Sequence, residues 1–456
     1  MIRKILLASI FSISFFVSAQ PQAWYSVGTG ITGDYGVLTE TVYNGELYAG
    51  GWFYQAGGVM ANNIARWNGY RWDSVGSGLT GGYNNVDVMC VYNGKLYAGG
   101  AFFAANGLAA TNIAVWDGTK WDTVGGGLLH CGGGAGWADA MCVYNGKLYV
   151  AGAFCHAGKL TTENIACWDG TKWDSVSSGI NDSVYALTVY NGKLYAGGQF
   201  TRAGHVSAYN IACWDGTTWT ALGNGTNAAV LALQTYKTSL YVGGEFSVAG
   251  STSAYFIASW NGSAWSAVGA GLSGSLGVEA LCVYNGMLYT GGAFNYAGLL
   301  KTNNIATWNG TSWDTVSTPG IDNTVDALAV LDSNLYAGGI FSRAGSVAAT
   351  DIAVWGGTTL GLNEMAAKSN EVTVYPNPNK GMFSISFSHA EKVSSATANQ
   401  TLEVYNMLGM KIYSSLFKEV LPEYKINLGS QPAGVYLYRV MNQSGGIDNQ
   451  GKIIIE

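Results

Sequence analysis

One phrase, Leu-Tyr-x-x-Gly-x-Phe, occurs seven times in this chain: at Leu47–Phe53, Leu96–Phe102, Leu148–Phe154, Leu194–Phe200, Leu240–Phe246, Leu288–Phe294 and Leu335–Phe341. Each is followed by Ile-Ala-x-Trp, ending at Trp67, Trp116, Trp168, Trp214, Trp260, Trp308 and Trp355. In six copies a second tryptophan comes five residues later, at Trp72, Trp121, Trp173, Trp219, Trp265 and Trp313. The seventh runs instead into Gly356-Gly357, and its missing partner stands ahead of the first copy, in Trp24-Tyr25-Ser26-Val27-Gly28. Tyrosines of successive copies are 46 to 52 residues apart. Such a period belongs to stacked or radial arrays, because one unit of that size cannot bury its own apolar faces. The displaced phrase is what a closed ring needs, since the first strand then completes the last unit.

Each copy reads as four short strands. In the second, Val86–Tyr92 precedes Asn93-Gly94, then come Lys95–Phe102, Asn112–Trp116, Asp117-Gly118 and Trp121–Val124. Asn-Gly and Asp-Gly tolerate positive φ and so favour tight primed hairpins. Asn-Gly recurs at Asn44, Asn145, Asn191 and Asn285, whereas the fifth and seventh copies place Lys237-Thr238 and Asp332-Ser333 there. Four-stranded sheets set around an axis cover each other's faces and leave only short edges. Fourteen of the 16 tryptophans occupy repeat positions and are read as core; Trp52 and Trp137 do not.

Over residues 22–357 the repeat resembles the seven-bladed propellers of the kelch and galactose-oxidase-like group, although the kelch double glycine is not in its usual place. The resemblance implies an all-β fold, a seven-bladed β-propeller closed by an N-terminal strand. It does not extend to galactose-oxidase chemistry, because His130, His156 and His205 are too few and too clustered for that copper site.

The two ends of the chain speak of export. Residues 1–19 join Arg3-Lys4, an apolar run from Ile5 to Val17 and a small-residue site ending at Ala19, the pattern of a signal peptide. No other run approaches a membrane span, so no transmembrane segment is expected after cleavage. After a small, polar linker at 358–370 the composition changes. Val-Tyr-Pro-Asn-Pro (with Tyr375, Pro376, Asn377 and Pro378) leads to Gly381, then to Val-Tyr-Asn-Met-Leu-Gly (Tyr405, Leu408, Gly409) and to Ala-Gly-Val-Tyr (Gly434, Tyr436). Strands alternating with Gly and Pro turns indicate a small β-sandwich over 371–456. These motifs resemble the C-terminal sorting domain of the type IX secretion system of Bacteroidetes. That resemblance implies delivery through the outer membrane by this machinery, with a passenger released or attached to the surface.

Charge and cysteines narrow the partners. Charged residues make up 11% of the chain, and residues 22–357 hold 12 Lys and Arg against 20 Asp and Glu, so nucleic acid is excluded as a partner. Of seven cysteines, Cys90, Cys142 and Cys282 share one repeat position and Cys167 and Cys213 another, as small core side chains do. Cys131 and Cys155 lie off the pattern. One sits in the enlarged loop before the third unit, the other in that unit's next loop, and in a propeller these loops share a face. A disulfide is expected in an exported chain; the alternative joins them with His130 and His156 as a zinc set.

The innermost strands of such a ring line its channel. Four residues before the valine of Val-Tyr-Asn-Gly, the copies place Leu38, Asp87, Asp139, Tyr185, Leu231, Glu279 and Asp326. Asp87, Asp139, Glu279 and Asp326 are read as a partial carboxylate ring that holds a cation such as calcium or hydrogen-bonds sugar hydroxyls; the alternative is that each clips a neighbouring backbone N–H. Arg202, Arg343, His205 and Trp137 are further candidates on that face. No Gly-x-Ser-x-Gly, His-Glu-x-x-His or calcium-loop signature is present. The reading is a monomeric secreted or surface-attached binding or adhesion module for glycan or a surface protein, without a required cofactor. Its alternatives are a polysaccharide-degrading enzyme using two channel carboxylates and a structural surface component.

Overall fold

A computed structural model describes residues 22–132, 136–356, 372–387, 400–406, 411–417, 423–441 and 447–456. The signal segment 1–19, the linker 358–370 and the motif residues Leu408 and Gly409 fall outside the described residues. The described residues hold strands and no helix, in two compact units divided between Thr358 and Thr359.

The first unit contains seven sheets of one plan, each antiparallel throughout. Sheet two runs Asn85–Tyr92, Lys95–Ala101, Ile113–Trp116, Trp121–Thr123, and five others repeat it from Ile31–Tyr43, Trp137–Tyr144, Val184–Tyr190, Val230–Tyr236 and Leu272–Tyr284. Sheet seven has Val325–Leu331, Asn334–Gly339 and Ile352–Gly356, and its fourth strand is Ala23–Ser26, with Trp24 opposite Trp355. The hairpin joining the first two strands is set by the turn residues: Asn93 and Gly94 sit at φ 49° and 72°, a primed turn matched to strand twist. Asp332 takes the same left-handed conformation at φ 49°, and Lys237 and Ser333 take it at 52° and 60° without being residue types that favour it.

Packing runs from each sheet to the next. In every sheet the two tryptophans face each other across neighbouring strands with centroids 5.1 to 5.4 Å apart. An indole withdraws roughly 200 Å² from water, a gross gain of about 5 kcal/mol. In sheets one, two, five and six the second tryptophan also reaches back, as when Trp72 Nε1 donates to Val27 O at 3.1 Å and Trp121 Nε1 to Val75 O at 2.9 Å; Trp173 and Trp219 leave their Nε1 without a partner. Reaching the other way, the Tyr43, Tyr92, Tyr144, Tyr190, Tyr236 and Tyr284 hydroxyls donate to the turn carbonyls of Gly94, Gly146, Gly192, Thr238, Gly286 and Ser333 on the following sheet. The seventh sheet has Leu331 at this position and no such bond.

Buried residues group into seven clusters in this unit, each shared by two consecutive sheets. One joins Tyr336, Ile352 and Val354 of the last sheet to Leu47, Trp67 and Trp72 of the first. The first strands follow the same order, each against the next, and Val325–Leu331 contacts Ile31–Tyr43. The second unit has two antiparallel sheets, Val372–Tyr375/Met382–Phe387/Glu423–Asn427 and Lys411–Phe417/Gln400–Asn406/Gly434–Met441/Ile447–Ile455. They share one core that includes Phe383, Ile385, Leu402, Val404, Tyr438 and Ile453.

Candidate functional site

Every first strand of the seven sheets breaks register with its neighbour at the same place, and the skipped residue is Leu38, Asp87, Asp139, Tyr185, Leu231, Glu279 or Asp326. A bulge of this kind leaves one residue unpaired and turns its side chain away from the sheet's alternation. The position singled out in the sequence is therefore a bulge repeated once in each of the seven sheets. Leu38, Asp139, Tyr185, Leu231, Glu279 and Asp326 line one open cavity of about 220 Å³; Asp87 does not line it, and its Oδ1 accepts from Asn85 Nδ2 at 2.6 Å.

Among the described residues none donates a hydrogen bond to Asp139, Glu279 or Asp326, so these acids do not clip neighbouring backbone. Burial pushes the carboxyls of Glu279 and Asp326 up to about 7, helped by the nearby charges of Glu245 and of Glu279 with Asp351, respectively. Burial likewise raises Asp87 to about 7, against the favourable Asn85 bond, and lifts Asp139 well above the usual range, with the charge of Asp87 adding to it. Near neutral pH Asp87, Glu279 and Asp326 are mixtures of acid and carboxylate, able to donate and to accept hydrogen bonds. Among the described residues no three His, Cys, Asp or Glu are grouped closely enough to hold a metal ion.

A further cavity residue, Glu40, was not singled out in the sequence. Two residues beyond each bulge the sheets present Met89, Met141, Leu187, Leu233, Leu281 and Leu328, and only the first sheet places a charge there. Both Glu40 carboxylate oxygens are inaccessible and without a hydrogen-bond partner, although the rest of the residue borders the cavity. Burial raises its pKa well above the usual range, opposed by the Ala329 N–H without a full bond being closed. Comparing equivalent positions across the seven copies would have found it.

Arg202, Arg343 and His205 do not reach the cavity. They belong to the short hairpins between second and third strands. Arg202 is engaged by Glu163 at 2.8 Å and by the Gly204 carbonyl at 2.6 Å, Arg343 donates to Ser346 O at 2.9 Å, and His205 is exposed at a turn. Trp137 begins the third sheet, two residues before Asp139, and is 42% exposed, its ring 5.9 Å from that of Tyr83. Cys131 and Cys155 are joined as a disulfide with Cα atoms 5.3 Å apart, so the zinc alternative has no thiolates to use. His130 is exposed, and His156 lies 3.5 Å from Thr161 Oγ1.

In the C-terminal unit the Tyr-Pro-Asn-Pro loop is tied down by its asparagine: Asn377 Nδ2 donates to Lys452 O and its Oδ1 accepts from Ile454 N, each at 2.8 Å. Tyr375, Pro376 and Pro378 are left exposed. Gly381, at φ 83°, lets the turn pass so close to Gly429 that a Cβ would lie 2.5 Å from its Cα. Tyr405 hydrogen-bonds Glu403, and Tyr436 Oη donates to Pro432 O at 2.7 Å; Gly434 is extended. Residues 373–456 match the family described as the secretion system C-terminal sorting domain.

The C-terminal unit is a type IX secretion sorting domain. The protein it carries is thus secreted, a product of the outer-membrane surface. Among the described residues no helix is long and apolar enough to cross a membrane. No curated protein matches the chain. Among solved structures, the extracellular domain of the one component system BT4673 from B. thetaiotaomicron is similar with a TM-score of 0.47 and 12% identity, over 95% of this chain and 59% of that one. PorZ, a surface component of the type-IX secretion system of Porphyromonas gingivalis, gives 0.38 and 15%, over 92% and 65%. This chain spans less than two thirds of the length of either.

Proposed function

We propose that residues 22–357 form a closed seven-bladed β-propeller that serves the sorting domain as its cargo: a binding or adhesion module for glycan or another surface molecule, held in the central cavity. Closure is supported by the strand Ala23–Ser26 in the seventh sheet and by the core shared between the seventh sheet and the first. The observation that carries the binding reading is the set of Asp139, Glu279 and Asp326, all on bulges, all lining one cavity and none bonded to protein. Leaving three acids desolvated and unpaired costs stability. A fold that needed only packing has apolar side chains for those positions, as Leu38 and Leu231 demonstrate.

The test is a glycan array and a panel of purified surface proteins probed with the full chain, with and without calcium, beside the Asp139→Asn/Asp326→Asn variant. Selective binding that the double variant loses supports the reading. Binding that survives both changes removes the cavity from the function. A second reading, hydrolysis of a polysaccharide, draws on Glu279 and Asp326, two cavity carboxyls raised to about 7, with the charge of Glu279 adding to the rise at Asp326; the reaction requires one of them protonated while the other is ionised. Release of new reducing ends from a bound polysaccharide would select it.

A further inference from the structure

The rim of the cavity is not symmetric. The first strands of sheets four, five and seven are approached through short turns whose Asn181, Asn227 and Asp322 side chains accept backbone N–H groups of the adjoining hairpin, at 2.8 to 3.1 Å. No aromatic ring stands there. On sheets one to three the same approach carries exposed rings instead. Tyr35, 52% exposed, lies over Trp52 with centroids 4.8 Å apart; Tyr83, 61% exposed, meets Trp137 edge to face across the boundary between sheets two and three.

One of these rings shares its strand with a cavity acid. Trp137 is two residues before Asp139, a step of roughly 7 Å along a strand. Asn85 and Asp87 open the first strand of the second sheet, with Tyr83 in the turn before it, and the Asn85 Oδ1 is buried there without a partner. Upstream of Trp137 the chain is tied to the following loop twice, by Leu128–Leu129 pairing with His156–Ala157 and by the disulfide from Cys131 to Cys155. That bridge lies off the repeat and adds nothing to the common sheet plan; it anchors Cys131 six residues before Trp137.

We infer that Tyr35, Trp52, Tyr83 and Trp137 form a stacking shelf for a neutral hexopyranose chain whose end is hydrogen-bonded by Asp139 and the other cavity acids. The inference rests on the cavity reading above and adds the ligand class. A pyranose ring has one face of C–H groups, which packs on the negative face of an aromatic ring, and an equator of hydroxyls, which need partners that both donate and accept. Tilted ring pairs at the mouth and mixed acids below supply both in order. The excess of acidic residues on this unit repels polyanionic sugars, and burial of Asp139, which favours its protonated form, weakens it as a cation ligand.

The experiment is an array of neutral, amino and uronic oligosaccharides probed with the full chain and three variants: Tyr83→Ala/Trp137→Ala, Asp139→Asn/Asp326→Asn, and Tyr70→Ala, an exposed tyrosine in an outer turn between third and fourth strands. Expected is binding to neutral hexose oligomers that falls roughly tenfold or more in the aromatic variant, about 1.4 kcal/mol, and grows with oligomer length in the wild type, while Tyr70→Ala is unchanged. Equal binding by the wild type and the aromatic variant, with loss only in the acid variant, overturns the shelf and leaves the cavity. A preference for uronic sugars, or no binding to any sugar, overturns the ligand class; the cavity reading then stands or falls on the protein panel. Circular dichroism of each variant separates lost binding from lost folding.

Discussion

Replacing Asp326 by Asn is expected to stabilise the protein, and only above a certain pH. The Asp326 carboxyl is raised from 3.8 to about 7, first by burial and then by the charges of Glu279 and Asp351. A group whose acid form is favoured in the folded state adds its full stability below the unfolded pKa and loses it as pH rises toward the folded value. For Asp326 the window runs from 3.8 to about 7. At 1.36 kcal/mol per pH unit the whole loss is about 4 kcal/mol, and water in the open cavity reduces it to roughly half. Asn has similar shape and does not ionise. Asp326→Asn and wild type should therefore be equally stable at pH 4, and the variant should be about 2–4 kcal/mol more stable at pH 8, some 4–8 °C in Tm for a unit of this size. Thermal and urea unfolding at half-unit steps from pH 4 to 8 measures it. Parallel curves across that range would refute the claim that this carboxyl is desolvated and unpaired.

Three further outcomes follow from the packing. Trp24→Ala removes an indole packed at a tilt against Trp355 and its bond to Ser317 Oγ at 2.9 Å, so stability should fall by about 3–5 kcal/mol, read by chemical denaturation; an unchanged midpoint would mean that the seventh sheet does not need its N-terminal strand. Ser333→Gly relieves a left-handed residue at φ 60° while keeping the carbonyl that Tyr284 grips, and should raise stability by about 1 kcal/mol in the same assay. Cys131→Ser/Cys155→Ser opens a loop with a sequence separation of 24 and should cost about 3 kcal/mol; mass spectrometry of the alkylated wild type should find these two thiols protected and Cys90 free.

The repeat made most of the first unit legible. Paired tryptophans, Asn-Gly turns and the displaced Trp24 phrase are local devices copied seven times, so each copy checks the others. The ring position was legible for the same reason, as a column of equivalent residues. What the column could not show was the bulge, which depends on hydrogen-bond register and not on residue type. Glu40 escaped because it sits where an alternating strand tolerates a polar residue; only its neighbours' six apolar counterparts mark it as unusual. Tyr35 and Tyr83 escaped because they lie where the copies differ in length and no column exists. Arg202 and Arg343 looked like site residues by charge alone. Their partners, Glu163 and the carbonyls of their own hairpins, are contacts that a one-dimensional reading does not reveal.

The strand Ala23–Ser26 has a consequence for timing. Its partner strand ends at Gly356, and Gln22 bonds Trp355 across 333 residues of chain. Bringing ends that far apart together costs roughly 5 kcal/mol of loop entropy, and the strand's backbone pairs with none of the preceding sheets to offset it. Until Ile352–Gly356 has emerged, the first strand stays an unpaired edge, and the seventh sheet of any other newly exported copy offers it the same groove. Crowded export should thus favour exchange of N-terminal strands between molecules, and dilute export should favour rings closed on themselves.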